Sequence, residues 1–515
     1  MSPRWLYIGL AALAVLLSGP AARAQRQDDD FGSNGVILNP RARAERPKPP
    51  PVKSRPRARA VNPPVRQPVP AAPTAAKRQD PIELAYKAYQ EGVASFGKED
   101  YTQAVASLEQ AVRLNPRAAD YFVPLGDAYS ELEQKEKAIA AYNSALKLKA
   151  GDAKLYDALG TLYAETSNFA EAAAAFGKEV ALKPDDVEAN NKLAEVYTRL
   201  QRWGEAVETY KKLAELKPDA ETYFKMGHAY EQLTNLPRAV EAYKKAVELK
   251  PDYADAYEDL GIAHYKLHQW QAAADAFQKL TSLTPGEANA YYYLGTANYE
   301  LEQYENAIAA YRKALELKSD DIETLLYLSN ALQMAHKHGE AIESYTRATV
   351  LKPDSAEAFR DLGREYINAG QFGEALAPLR QAVKLEPDNS VAHYLLCWAS
   401  NDLGRTKDEP QMFAQAVEAC REAIRLRPEA SRPYYQLGFA YNQMARYSEA
   451  IETLTKAISQ GLEGKAKARC YYYLGDAYLR SGNKEAAVAQ YRILQQLDPG
   501  LAQDYLREVL RGVND

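Results

Sequence analysis

The chain has 515 residues, 46% of them hydrophobic, with 64 Lys and Arg against 69 Asp and Glu for a net charge of −5. That length supplies ample apolar material for a core and predicts several domains. The slight acidic excess argues against a nucleic-acid-binding protein, since phosphate binding needs the opposite sign.

Taken in chain order, Met1 to Ala24 carry Arg4, an apolar run from Trp5 to Leu17, then Gly19, Pro20 and the small-x-small triplet Ala22-Arg23-Ala24. Thirteen residues in that run are too few to cross a bilayer comfortably. The segment therefore reads as a cleaved secretory signal, with a mature start at Gln25 and export to a bacterial periplasm or the medium; the alternative is an uncleaved anchor.

Residues 25–80 hold eleven prolines and a cluster of basic residues (Arg41, Arg43, Arg46, Lys48, Lys53, Arg55, Arg57, Arg59 and Arg66) with few large apolar side chains. Such a composition predicts a disordered, polyproline-biased tether. From residue 25 to 79 it has 12 basic and 4 acidic residues, so residues 80–515 carry −15. The tether is a solvated spacer, a contact for an anionic envelope surface, or a segment that folds back on its own acidic body; no nucleic-acid partner is expected.

From about residue 85 to 500 one pattern recurs at a step of 34 residues. In one copy it reads Leu125, Gly126, Tyr129, Ala138, Tyr142 and Ala145; in the next, Leu159, Gly160, Tyr163, Ala172, Phe176 and Pro184. The apolar spacing is helical and no segment alternates with a strand period. A fixed step of this size marks units that cannot bury their apolar face alone and must stack, which replaces the several-domain expectation by a single array. Glycines such as Gly126 are expected to face alanines such as Ala138 across each hairpin. Aromatics at the fourth position (Phe122, Tyr156, Tyr434) and on the second helix (Tyr142, Phe176, Tyr243) are expected to fill the core.

These residues resemble the tetratricopeptide repeat, a helix-turn-helix unit. Twelve copies begin near Ala85, Ala119, Ala153, Val187, Ala220, Ala254, Ala288, Ile322, Ala356, Ser390, Ser431 and Ala468. The resemblance implies an all-α, right-handed α-solenoid whose first helices line a concave groove, and a non-enzymatic interaction scaffold. Two specialised uses of the family do not match: the carboxylate clamp of co-chaperones and the asparagine ladder of sugar transferases both lack their residues here.

Three copies depart from the pattern. Repeat five is one residue short. Pro378 falls inside the second helix of repeat nine and is expected to bend it. Repeat ten carries seven extra residues within Asn401 to Pro410, which reads as a polar loop between its helices. Cys397 and Cys420 lie on facing helices beside that insertion, and either pair in an oxidising compartment or remain buried thiols. Cys470 is left over. Residues 501–515 read as a capping helix and tail.

No catalytic motif, phosphate loop or metal-ligand set is present, so no enzyme activity, cofactor or metal is expected. His264 and His268, and His336 and His338, lack the companion ligands of a closed metal site. The groove positions implied by the resemblance are charged in the early repeats (Asp120, Asp127, Glu131, Asp157, Glu195) and turn aromatic and amide in the later ones. There Tyr292, Tyr299, Tyr394, Trp398, Tyr435, Phe439, Asn442 and Tyr472 form the candidate partner site. The expected function is an exported scaffold that offers this groove to a peptide or helix of a partner in envelope assembly or secretion. The alternatives are a component that handles envelope polymer or carbohydrate, and a targeting subunit for a separately encoded enzyme such as a glycosyltransferase.

Overall fold

The computed structural model describes residues 80–507; the expected signal segment, the tether up to residue 79 and the tail beyond residue 507 lie outside the described residues. Every described element is a helix, and the helices fall into two compact units, one ending at Pro251 and one running from Asp252. The first unit holds five hairpins, from Pro81–Phe96 with Tyr101–Leu114 to Ala220–Gln232 with Leu236–Leu249. The second holds seven, from Ala254–Lys266 with Trp270–Leu283 to Gly464–Arg480 with Lys484–Leu497, and ends with a short helix, Pro499–Tyr505. Within each unit the hairpins stack in chain order as an α-solenoid.

Ten of the twelve first helices begin at the residue the repeat predicts. The exceptions are the first, which starts at Pro81 instead of Ala85, and the last, which starts at Gly464 instead of Ala468. Polar residues following the prolines set several of these starts. Asp186 accepts hydrogen bonds from the backbone N–H groups of Glu188 and Ala189 at 3.1 and 3.2 Å, and Ser355 and Asn389 cap their helices in the same way.

The turn inside each hairpin has one geometry. A residue just past the first helix adopts positive φ, at Glu133 (55°), Ser167 (61°), Gln201 (56°) and onward to Ala445 (57°), with glycine there only at Gly370 and Gly482. The next N–H then reaches back five residues, as from Gln134 to Tyr129 at 2.9 Å and from Arg446 to Tyr441 at 2.9 Å. This left-handed closure satisfies carbonyls that the helix end would leave open.

An alanine near the start of the second helix, from Ala104 in the first hairpin to Ala487 in the twelfth, is fully buried in all twelve. The first-helix glycines do not make room for these alanines, contrary to the sequence expectation. A Cβ on Gly126 would lie 2.3 Å from the Tyr142 ring, on Gly160 2.6 Å from Phe176, and on Gly227 2.4 Å from Tyr243. Each glycine therefore receives the large residue one turn further along the partner helix. Those rings are the true core, with Tyr243 and Tyr311 at 0% exposure. The fourth-position aromatics, Phe122, Tyr156 and Tyr434 among them, are only half-buried.

Repeat ten differs from its expectation. The extra residues form no polar loop: the first helix runs on from Ser390 to Lys407, Asp408 turns the chain at φ 54°, and the second helix begins at Gln411. The extension stays helical because its inner side is packed. Asn401 and Gly404 are buried, and the Phe413 ring would lie 3.1 Å from a Cβ on Gly404. In repeat nine the helix Phe372–Leu385 continues through Pro378. The closing helix starts two residues earlier than expected, at Pro499, and buries Ala502 and Tyr505 against the last hairpin.

Candidate partner-binding face

Across repeats nine to twelve the first helices of successive hairpins touch one another directly, Ala356–Asn368 on Ser390–Lys407, that helix on Ser431–Gln443, and Ser431–Gln443 on Gly464–Arg480; no pair of second helices approaches as closely. Side chains at the outward positions of the first helices therefore share one continuous face.

Tyr292 stands half-buried on this face, its ring edge-on to Tyr327 at 5.5 Å and its hydroxyl donating to Glu323 at 3.1 Å. Burial, with the neighbouring tyrosines and Glu323, drives its phenol far above the ordinary range, so it remains a neutral donor.

Two hairpins along, Arg360 forks onto the Asp361 carboxylate at 2.9 and 3.1 Å, and Arg364 reaches the same group at 3.2 Å. Burial opposes ionisation of Asp361, but Arg364 and Arg360 outweigh it and hold the carboxyl below its usual range. One carboxylate thus positions two guanidinium groups, and the buried Nε of Arg364 has no partner. On the inner side of the same helix, Glu365 is fully buried between His338 at 2.6 Å and Asn368 at 3.1 Å.

In repeat ten the Tyr394 and Trp398 rings lie 6.1 Å apart, and the indole N–H donates to Asp402 at 2.5 Å. Asp402 is also held by Arg405, at 2.8 and 3.2 Å, from the inserted helical turn. The insertion therefore adds a cation beside the indole. Tyr435 follows, half-buried 6.4 Å from Tyr473, with its phenol pushed up by burial first and Tyr473 second. Tyr472 stands edge-on to Tyr505 at 5.3 Å.

Three of the eight sequence-predicted residues do not present themselves to a partner. Tyr299 is 6% exposed and packs edge-on to Tyr304, and Phe439 is 5% exposed between Phe413 and Tyr473. Asn442 is 5% exposed and ties two first helices together by donating to the Tyr473 carbonyl at 3.2 Å and to Asp476 at 3.0 Å. Phe439 and Asn442 face the adjoining first helix, whose close approach covers them, while Tyr299 is covered by Tyr304 of its own hairpin among other neighbours. Tyr292, Tyr394, Trp398, Tyr435 and Tyr472 keep part of their surface. The sequence reading passed over Arg360, Arg364 and Arg405, although the first two occupy the same repeat positions as Tyr292 and Trp398.

The equivalent face of the first unit has the opposite character. Asp120 and Glu131 are exposed, Asp127 accepts the Tyr142 hydroxyl at 2.6 Å, Asp157 meets Lys192 at 2.6 Å, and Glu195 meets Lys225 at 2.8 Å. Among the described residues no group of His, Cys, Asp or Glu is arranged to hold a metal ion, and no helix is long and apolar enough to cross a membrane. The Nδ1 atom of the buried His264 lies 2.6 Å from the Gln269 amide oxygen.

A stack of two-helix units with invariant turn geometry and a side-chain-rich first-helix face defines a helical-repeat interaction protein. The chain belongs to the tetratricopeptide repeat family, whose model matches residues 89–153, 158–221, 259–322, 328–389, 360–431 and 435–502, with a second TPR model matching residues 235–268. It is a protein-interaction scaffold built from a repeat that is generally non-catalytic.

Among solved structures it is similar to YrrB, described as a TPR protein with an unusual peptide-binding site, at 28% identity over 36% of this chain and 97% of that one, with a TM-score of 0.33. It is similar to MamA residues 41–end from Desulfovibrio magneticus RS-1 at 27% identity, over 32% of this chain and 95% of that one, TM-score 0.30. It also resembles the structure of Naa15/Naa10 bound to HypK-THB at 16% identity, over 79% of this chain and 67% of that one, TM-score 0.42. No curated protein matches the sequence.

Proposed function

We propose that this chain is an exported scaffold without enzyme activity of its own, whose second unit captures an extended segment of a protein partner in cell-envelope assembly or secretion. The segment would lie along the first helices of residues 288–480, set an apolar or aromatic side chain against Tyr394, Trp398 and Tyr435, and place a carboxylate on Arg405 or on the edge of Arg364; Arg360 is buried against Asp361 and has only a supporting part. The observation that carries this reading is the juxtaposition of partly exposed rings with arginines already fixed by Asp361 and Asp402. Pre-fixed donors lose little freedom on binding, so many weak contacts add up. Aromatic and arginine side chains are also the residues from which interface anchors are made.

Export rests on the Met1–Ala24 segment, and the bond between Cys397 and Cys420 supports it because oxidising compartments preserve such links.

A photoreactive residue in place of Tyr435, in the full chain in its own cells, tests the reading. Capture of a defined protein that is lost in Trp398→Ala and Arg364→Ala supports it. Retention of protein partners with loss of glycan binding in those variants supports the carbohydrate alternative instead.

A further inference from the structure

The first unit carries a second docking face, independent of the one above. At its N-terminal end no described hairpin precedes Pro81–Phe96, and that helix leaves Ile82, Tyr86 and Val93 at 62%, 52% and 41% exposure. The exposed Tyr86 and half-buried Tyr89 stack with centroids 6.2 Å apart, and the buried Tyr121 backs Tyr89 at 4.8 Å. Immediately along the same first-helix face come the carboxylates of Asp120, Glu131, Asp157 and Glu195. Glu131 is exposed, and lysine partners leave the others accessible: the Asp120 side chain is 77% exposed beside Lys149, and Glu195 is 47% exposed beside Lys225. An aromatic pair leading into an acidic strip fits a ligand that is rich in proline and arginine, since proline segments lie on tyrosine rings and guanidinium groups fork onto carboxylates.

Such a ligand is part of this chain. Residues 41–67 hold Arg41, Arg43, Arg46, Lys48, Lys53, Arg55, Arg57, Arg59 and Arg66 among prolines, and contain a single carboxylate, Glu45. We propose that this basic proline-rich segment docks in cis on Tyr86 and Tyr89 and on the acids that follow them, and so covers the first-helix face of the first unit. The reach is adequate. The residues from Arg66 to the helix cap Asp80, if extended at ~3.1 Å each, would reach about 40 Å. That distance exceeds the ~10 Å between the packed first helices Pro81–Phe96 and Ala119–Glu131, so the segment can run from Tyr86 onto Asp120 and Glu131. The short connection also keeps the effective concentration of the segment high, so weak contacts suffice. An outside partner for this face must then compete with the chain's own N-terminal segment.

The test places a photoreactive benzoylphenylalanine in place of Val123 in the full chain, at low protein concentration, and maps the cross-linked peptides by mass spectrometry. The expected product is an intrachain link to residues 41–67. Its yield should fall about tenfold in ~1 M salt, where the screening length shrinks to about 3 Å. It should fall comparably when Arg55, Arg57 and Arg59 are changed to Gln, and in the Asp120→Asn, Glu131→Gln double variant, whose circular dichroism checks that the helices persist. Absence of the intrachain link, links formed only between two copies, or a yield indifferent to salt and to both sets of substitutions would overturn the proposal. So would preferential transfer of the segment to anionic phosphatidylglycerol vesicles with the acidic face left uncovered.

Discussion

Cys397 and Cys420 are joined by a disulfide across the tenth hairpin, at the two positions where Gly126 and Tyr142 meet in the second. In most other hairpins a large side chain rests on a small first-helix residue at this point; here two small side chains leave no ring to fill the space, and a covalent bond spans it, with Cα atoms 5.3 Å apart. The link closes 23 residues that include the whole inserted turn.

Closing a loop of this length stabilises by about 3 kcal/mol through the unfolded chain. Reduction is therefore expected to lower the unfolding midpoint and to raise hydrogen exchange first in residues 390–426. The pair Cys397→Gly with Cys420→Tyr, which restores the arrangement of the second hairpin, is expected to recover part of the loss and to be insensitive to reductant. Denatured, unreduced protein should titrate one thiol, Cys470; finding three would refute the link.

Tyr505 performs a related task at the C-terminal end. It is fully buried, stacks on Tyr491 at 6.0 Å, and takes the space over Gly475 that a second-helix ring takes elsewhere. Tyr505→Ala should cost about 3–5 kcal/mol in the last hairpin, read as lost exchange protection across residues 464–497. Because the Tyr505 hydroxyl is buried without a partner, Tyr505→Phe should instead be neutral or stabilising by up to about 1 kcal/mol. Equal damage from both substitutions would contradict this account.

Glu179 occupies the second-helix position that holds Ala145 and Leu213 in the adjoining hairpins. It is 5% exposed, and its Oε2 atom has no partner. Burial first, then Asp157, pushes its carboxyl up to about 7. The folded state thus holds the proton more tightly than the unfolded chain, so this site's stabilising contribution is complete below about pH 4.5 and is lost as pH rises through 7. Glu179→Leu should gain about 1–3 kcal/mol at pH 8 and distinctly less at pH 4.5, measured by urea unfolding at each pH. A gain of the same size at both would show that the carboxyl does not titrate in this way.

Ala445 turns its hairpin at φ 57° with no polar side chain to compensate the left-handed backbone. The conformation costs an L-residue roughly 1–2 kcal/mol, while glycine loses about 0.5–1 kcal/mol of chain freedom. Ala445→Gly is expected to raise stability by about 0.5–1 kcal/mol in thermal unfolding. A loss would mean that the turn is not held in this conformation in solution.

Much of the fold was legible in the sequence because the repeat restates the same constraint twelve times. Ten first-helix starts, the stop at each Pro-Asp segment and the placing of Cys397 opposite Cys420 all follow from register. What failed were inferences about depth. Gly126 was matched with Ala138 because both are small, yet its neighbour is the Tyr142 ring, and no spacing rule reports how far a ring leans along a hairpin. The seven extra residues of repeat ten look like a loop in a polar string, but Asn401 and Gly404 are sheltered by neighbouring helices, which rewards continuing the first helix.

The candidate face shows the same division. Register assigned Tyr292, Tyr299, Trp398, Phe439 and Asn442 alike to the outward side, since it knows only angle around a helix. Tertiary packing separated them: the adjoining first helix covers Phe439 and Asn442, Tyr304 helps to cover Tyr299, and Tyr292 and Trp398 are spared. Periodicity alone therefore determined that this chain is a stack of helical hairpins. Which of its side chains remain free to be touched was decided by the distance between helices, and that distance is set by contacts between residues about one repeat apart in the chain.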